Sequence, residues 1–82
     1  MYAGEGDGHW ITETTDGGRR IKLEDGSLWE IDPLDTIDTA LWLVPDNIKV
    51  EQSDDGSPGY DYALVNTDDN NERAHAKLIS PL

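Results

Sequence analysis

The chain contains no cysteine, which removes a whole group of structural and catalytic possibilities. Without thiols there are no disulfides, no thiolate metal sites and no cysteine nucleophile. Phenylalanine is also absent, and hydrophobic residues make up only 35% of the chain. The length of 82 residues allows one domain with a thin core. Tryptophan and tyrosine must therefore supply the large core side chains.

Basic residues are scarce. Six Lys and Arg face 18 Asp and Glu, which gives a net charge of −12. Binding to nucleic-acid phosphates needs Lys and Arg to displace counterions, so we expect no direct nucleic-acid binding. Ordinary solubility is the simplest explanation of the surplus acid. The other interpretations are a salt-rich or extracellular environment, divalent cations held by carboxylates, and a negative surface offered to a basic partner.

Long apolar runs are absent. No stretch approaches the roughly 18 apolar residues of a membrane span, so we expect no membrane insertion. The start, MYAGEGDGHW, lacks the basic region and apolar run of a signal peptide. If the natural protein is exported, we expect this chain to be the processed form. Residues 1–9, rich in glycine, are predicted to be a flexible lead-in to a single domain over residues 10–82.

Apolar and polar residues alternate on both sides of Asp25-Gly26. The runs RRIKLE (19–24) and SLWEI (27–31) both have a two-residue period, and Asp-Gly is a strong hairpin signal. Comparable β-rich runs, bounded by turn residues, lie at 10–15, 48–52, 60–66 and 73–79. Short strands spaced by eight to twelve residues are typical of an all-β sandwich or barrel, and the chain is too short for two full sheets.

We therefore predict an all-β fold, a small five- to six-stranded partly open barrel of SH3-like or OB-like kind with one short helical turn. The turn is expected within DPLDTIDTA (32–40), where Pro33 denies the sheet a hydrogen-bond donor. Leu34, Ile37 and Leu41 have the spacing of one apolar helical side. We expect this turn to plug one end of the barrel.

Five aromatic residues are candidates for either core or surface. Trp29, Trp42 and Tyr62 are predicted to lie in the core, since no phenylalanine competes with them. Trp10 and Tyr60 lie near loops and are the candidates for a binding surface. Exposed rings on small barrels supply contact area at low entropic cost, which suits a protein or glycan partner.

Acidic side chains suggest two further sites. Asp32, Asp35, Asp38, Asp54 and Asp55 could form an acidic patch that imitates phosphates, although aspartates also cap helical turns and line solvated loops.

In DDNNE, the alternating oxygen ligands of Asp68, Asn70 and Glu72 resemble part of a calcium loop. The full loop needs glycine where Arg73 stands, and its twelfth-position acid is missing. The same residues also suit an ordinary hairpin turn. No cofactor other than calcium is suggested by the sequence.

The two histidines do not indicate catalysis. His9 lies in the lead-in and His75 on the polar side of the last strand. Neither belongs to a Ser-His-Asp pattern or to a carboxylate pair with the spacing of a general acid and base. We expect the protein not to be an enzyme.

The central run, IKLEDGSLWEID, DTALWLVPDNIKV and LVNTDDNNERAHAKLI, resembles a loose group of small bacterial β proteins of unknown function, often exported, that carry a DGS-W-E-I/V hairpin. The resemblance covers residues 20–79 and carries no catalytic residues. It implies a compact β domain and an extracytoplasmic or secreted location, with a cytoplasmic location as the alternative.

The sequence thus favours a non-enzymatic small acidic β-barrel that serves as a binding or structural module. The alternative is an acidic inhibitor that imitates nucleic acid and blocks a basic nucleic-acid-binding protein. The oligomeric state stays open.

Overall fold

A computed structural model describes residues 2–80 as a closed antiparallel barrel of six strands. The strands are Gly6–Thr15 (β1), Arg20–Leu23 (β2), Leu28–Ile31 (β3), Asn47–Gln52 (β4), Tyr62–Asn66 (β5) and Glu72–Ser80 (β6). Their order around the barrel is β1-β2-β3-β6-β5-β4, and β4 pairs back onto β1. The predicted small all-β barrel is confirmed. The barrel is closed rather than partly open, because the long β1 pairs with β4 through its first half and with β2 through its second.

The Asp25-Gly26 turn joins β2 to β3, as the alternation predicts. Gly26 takes a φ of 88°, which side-chain-bearing residues rarely adopt. The Asp25 carboxylate accepts hydrogen bonds from the Ser27 N–H at 2.9 Å and the Ser27 hydroxyl at 2.6 Å. The Trp29 indole N–H in turn donates to the Ser27 hydroxyl oxygen at 2.9 Å. The sequence DGSLW therefore forms the turn and also satisfies the polar atom of a buried ring.

Trp29 lies at the centre of the core. Its ring packs edge-on against Tyr2, with centroids 4.9 Å apart, and against Tyr62 at 5.3 Å. Trp42 is also buried, and Tyr62 is half-buried at the margin of the core. Aliphatic and alanine side chains from all six strands fill the remaining interior: Ile11, Ile21, Leu23, Ile31, Ile48, Val50, Leu64, Ala74 and Ala76. The predicted aromatic core is thus present.

The N-terminal residues differ from the expected flexible lead-in. Tyr2 is buried, and its N–H donates to the Tyr62 hydroxyl at 3.0 Å. Strand β1 begins at Gly6, four residues before the predicted first strand residue. The physical reason is the thin core, which takes up an additional ring where the chain has no phenylalanine. Met1 and the last two residues of the predicted domain lie outside the described residues.

Residues 33–46, here called the cap segment, cross one end of the barrel between β3 and β4. A 3₁₀ turn, Pro33–Asp35, leads into one α-helical turn, Thr36–Thr39 (α1). Thr39 and Trp42 face inward, with the Thr39 hydroxyl donating to the Gly18 carbonyl at 2.7 Å and the Trp42 indole to Glu72 at 2.6 Å. Within residues 2–80 no helix has the length and apolar character needed to cross a membrane.

The predicted plug is present, but the side chains expected to form it are not inside. Leu34, Ile37 and Leu41 all face outward. The i, i+3, i+7 rule requires one continuous helix, and here a 3₁₀ turn changes direction into a single α turn. Thr39 and Trp42, three residues apart, take the inward side instead.

Gly18 lies where the 3₁₀ turn Asp16–Gly18 meets the cap segment, and replacing it with alanine is expected to destabilise the barrel. Its φ is +90°, and a Cβ there would lie 2.5 Å from the Ala40 backbone nitrogen. We expect Gly18→Ala to lower the free energy of unfolding by about 2–4 kcal/mol through strain and steric conflict. Gly17→Ala is the matched control, since its φ is +65° with open space around it. Gly17→Ala should lower the free energy of unfolding by about 1 kcal/mol. Equal losses for the two variants in urea unfolding would contradict the close approach of Gly18 to the Ala40 backbone.

Candidate functional site

The two aromatic residues predicted to bind a partner lie on opposite sides of the barrel. Trp10 is 45% exposed on β1, where it pairs with Asn47 of β4. Tyr60 is half-buried over β3 and β6, with its hydroxyl donating to Glu30 at 2.7 Å and Lys77 Nζ 5.2 Å from its ring centroid. In the strand order, the β3–β6 pair lies opposite the β1–β4 pair. Trp10 and Tyr60 therefore do not form one site.

The predicted acidic patch is divided between buried and exposed residues. Asp32 is buried and accepts hydrogen bonds from the backbone N–H groups of Leu34 and Ser57, at 3.0 and 3.1 Å. Burial acts to raise the pKa of Asp32, but these hydrogen bonds outweigh it and hold the pKa below its ordinary value. Asp35 accepts from the backbone N–H and the ring of His75. These two carboxylates therefore hold the cap segment in place.

The other three members of the predicted patch lie nearer the solvent. Asp38 is half-buried in α1, whereas Asp54 and Asp55 are exposed in the loop between β4 and β5. Asp55 accepts a hydrogen bond from the Ser53 hydroxyl at 2.9 Å, and this bond lowers its pKa. Only Asp54 and Asp55 of the five are fully surface carboxylates.

The predicted calcium ligands are directed at different partners. Asp68 accepts from the backbone N–H of Asn47 at 2.8 Å, and Glu72 accepts from the Trp42 indole. Asn70 has a φ of 56°, as the turn between β5 and β6 requires. The geometry is that of a hairpin turn tied to its neighbours. Calcium binding here stays a prediction.

The outer surface of the cap segment is the most apolar exposed feature among residues 2–80. Leu34 and Ile37 are each 79% exposed, Leu41 76% and Leu43 68%, and Val44 is also exposed. These five residues are here called the apolar cap surface. Elsewhere among the described residues, the large exposed hydrophobic side chains are Trp10 and Ile79. Apolar exposure is therefore concentrated in one short segment.

Hydrogen bonds on the inner side fix the apolar cap surface in its outward orientation. One Asp46 oxygen accepts from the backbone N–H of Leu43 and from the side-chain amide of Asn66, each at 2.9 Å. Thr39 and Trp42 hold the middle of the segment, as described above. The aliphatic side chains are thus presented by an anchored backbone.

The charge around the apolar cap surface has one sign. Residues 33–46 contain three aspartates, Asp35, Asp38 and Asp46, all of them half-buried, and no lysine or arginine. Arg19, which follows the adjoining 3₁₀ turn, lies 3.9 Å from Glu30, and Arg20, the first residue of β2, lies 4.0 Å from Asp16. The surface therefore combines aliphatic contacts with a negative rim.

Sequence reasoning missed this surface because it assigned Leu34, Ile37 and Leu41 to the inner side of the turn. A usable signal was present in LWLV (41–44). In an extended run, a buried Trp42 directs Leu41 and Leu43 to the opposite side. Assigning Trp42 to the core therefore already implied that its two neighbours are exposed.

A second cluster joins the N-terminal residues to the β2–β3 turn. His9 Nδ1 lies 2.9 Å from a Glu24 oxygen and 3.9 Å from an Asp25 oxygen, and His9 Nε2 lies 2.5 Å from the Gly4 carbonyl. The Tyr2 hydroxyl donates to Asp25. The sequence placed His9 in the flexible lead-in, but its side chain is largely enclosed.

These contacts shift the pKa values of the cluster. Burial acts to lower the pKa of His9, but the Gly4 carbonyl and the Glu24 and Asp25 carboxylates raise it above its ordinary value. Burial and the hydrogen bond to Asp25 raise the pKa of Tyr2. Burial also acts to raise the pKa of Asp25, but hydrogen bonds from Ser27 and Tyr2 outweigh it and hold the pKa below its ordinary value. The cluster therefore combines a charged carboxylate with a neutral phenol.

His75 links β6 to the cap segment. Its Nδ1 lies 3.0 Å from Asp35, and Gly56 packs so closely on the ring that a Cβ there would lie 2.8 Å from the ring carbon. His75 Nε2 is buried without a hydrogen-bond partner among residues 2–80. The contacts of this histidine are those of a structural link between strand, cap and loop.

Comparisons with known proteins supply no relative for this chain. The resemblance to small bacterial proteins with the DGS-W-E hairpin stays a prediction. No protein-family model, curated protein or solved structure matched the chain.

Proposed function

We propose that this chain is a non-enzymatic binding module that holds a basic protein partner on the apolar cap surface. The observation that carries the proposal is the concentration of five exposed aliphatic side chains within residues 34–44. Exposed apolar residues are ordinary when scattered singly, whereas a contiguous patch with a polar rim is typical of an interaction site.

The negative charge of the chain indicates which kind of partner the apolar cap surface can bind. With a net charge of −12, two copies of the chain repel each other, and so do this chain and an anionic membrane or nucleic acid. Asp35, Asp38 and Asp46 lie in the cap segment itself. A partner segment with aliphatic side chains on one side and lysine or arginine beside them complements both the apolar side chains and the negative charge of this surface.

The aliphatic side chains can supply useful binding energy because between half and four-fifths of the area of each residue is exposed. Fully burying one Leu or Ile side chain contributes about 1.5–3 kcal/mol. The anchored backbone described above reduces the ordering cost of binding, and the negative rim speeds encounter with a basic partner.

Replacing both Ile37 and Leu41 with serine is expected to weaken binding without affecting the fold. A synthetic amphipathic helix of leucine and lysine serves as the probe, with affinity measured by calorimetric titration. We expect Ile37→Ser/Leu41→Ser to weaken affinity about 10–100-fold, since truncating each anchor costs about 1 kcal/mol or more. The free energy of unfolding should change by less than about 0.5 kcal/mol, because neither side chain is in the core.

Ile79→Ser is the matched control, since Ile79 is exposed on β6, outside the cap segment. It should bind the peptide as the unaltered chain does, and a peptide with glutamate in place of lysine should not bind. The proposal would be contradicted if Ile37→Ser/Leu41→Ser bound the peptide as tightly as the unaltered chain and if added salt abolished the binding of both. That result would favour the acidic inhibitor instead, with Asp54, Asp55 and the other surface carboxylates acting without the apolar cap surface.

A further inference from the structure

The cluster formed by His9, Glu24 and Asp25 has an arrangement that a simple ion pair does not need. One ligand atom from each of the three side chains lies within 4.8 Å of the other two. A carboxylate–imidazole pair is complete with Glu24 alone, yet Asp25 brings a second carboxylate to the same ring nitrogen. The residues come from separate elements, β1 and the β2–β3 turn, so the barrel itself brings them together.

A backbone contact determines which nitrogen of His9 faces the carboxylates. Nε2 lies 2.5 Å from the Gly4 carbonyl, which can only accept, so Nε2 carries a hydrogen. Nδ1 is then the nitrogen directed at Glu24 and Asp25. Histidines that bind metals usually donate their other ring N–H to a carbonyl or carboxylate in this way.

Each carboxylate is oriented by a further hydrogen bond. One Glu24 oxygen accepts from the Trp10 backbone N–H at 3.0 Å. Asp25 accepts from Ser27 through one oxygen and from the Tyr2 hydroxyl through the other. These outer contacts hold the two side chains beside His9 and reduce the freedom lost when a ligand binds.

We propose that His9 Nδ1, Glu24 and Asp25 form a binding site for a divalent transition-metal ion, with Zn²⁺ as the representative. An imidazole nitrogen favours zinc and its neighbours over calcium and magnesium, which prefer oxygen ligands throughout. The two carboxylates neutralise the charge of the ion. Three protein ligands leave a further coordination position for water, and any Nδ1 proton leaves to solvent as the ion binds.

The test uses the tag-free full chain, treated with chelator and then titrated with Co²⁺ and Zn²⁺. We expect one saturable site, with cobalt absorption bands that zinc abolishes and that equal concentrations of calcium or magnesium do not. His9→Gln should weaken zinc affinity by more than about 100-fold, since losing an outer partner alone costs 10–100-fold. His75→Gln is the matched control, because His75 also faces a carboxylate, and it should retain affinity within about twofold.

Two further measurements keep the test decisive if His9→Gln loosens the N-terminal residues. Glu24→Gln retains an oxygen for the Trp10 N–H and should weaken zinc at least about tenfold. In the unaltered chain, cobalt should shift NMR signals around residues 9, 24 and 25 most strongly. No saturable binding, many weak equivalent sites, or paramagnetic shifts centred elsewhere on the acidic surface would each overturn the proposal. This outcome is independent of the apolar cap surface.

Discussion

Replacing Trp29 with alanine is expected to lower the free energy of unfolding by about 3–5 kcal/mol, since large-to-small changes at fully buried aromatic positions cost that much. Trp29 has no exposed area and packs against both Tyr2 and Tyr62. A domain of this size has a total stability of only about 4–12 kcal/mol. The variant should therefore lose at least about a quarter of that stability, which urea unfolding monitored by circular dichroism would show as a lower midpoint.

The matched control is Trp10→Ala, which removes the same side chain from a position that is 45% exposed. We expect it to cost less than about 1 kcal/mol, because surface substitutions away from special features have small effects. Similar losses at Trp10 and Trp29 would contradict the assignment of one ring to the core and the other to the surface.

Replacing Asp32 with alanine is expected to lower the free energy of unfolding by about 2–3 kcal/mol at neutral pH. The change removes the acceptor for two backbone N–H groups, those of Leu34 and Ser57, and an unsatisfied buried donor costs about 1–3 kcal/mol. Asp54→Ala, in the exposed loop, is the control and should change stability by less than about 0.5 kcal/mol.

The loss at Asp32 should also depend on pH in a defined direction. The pKa of Asp32 is lower in the folded state than its ordinary value of about 4, so the folded state favours the charged form. Its contribution is therefore complete above that ordinary value and is lost as pH falls through the lower folded pKa. The stability difference between the unaltered chain and Asp32→Ala should shrink on acidification below about pH 4. A difference that grows instead would show that the carboxylate is stabilised in its neutral form.

The strands were predictable because each depends on local signals. The two-residue period around Asp25-Gly26 defines both strands of the β2–β3 hairpin, and turn residues separate the others. The fold class follows from strand number and chain length, since six short strands leave edges that a barrel closes.

The cap segment and the N-terminal residues could not be predicted so well, because they depend on tertiary contacts. Tyr2 is isolated among glycines and acids, and only the space beside Trp29 explains its burial. Leu34, Ile37 and Leu41 fit the helical pattern, but they are exposed, because Thr39 and Trp42 are the residues of this segment that are buried against the end of the barrel. The His9 cluster joins residues fifteen positions apart, for which local periodicity carries no information.

The most direct test of the proposed function is an NMR titration of the isotope-labelled chain with the leucine–lysine peptide. We predict that the largest shifts fall on the methyl groups of Leu34, Ile37, Leu41, Leu43 and Val44, and that they persist at 0.15 M salt, where the Debye length is about 8 Å. Shifts distributed over all acidic faces, or centred on Asp54 and Asp55 and removed by that salt, would contradict the apolar cap surface as the binding site.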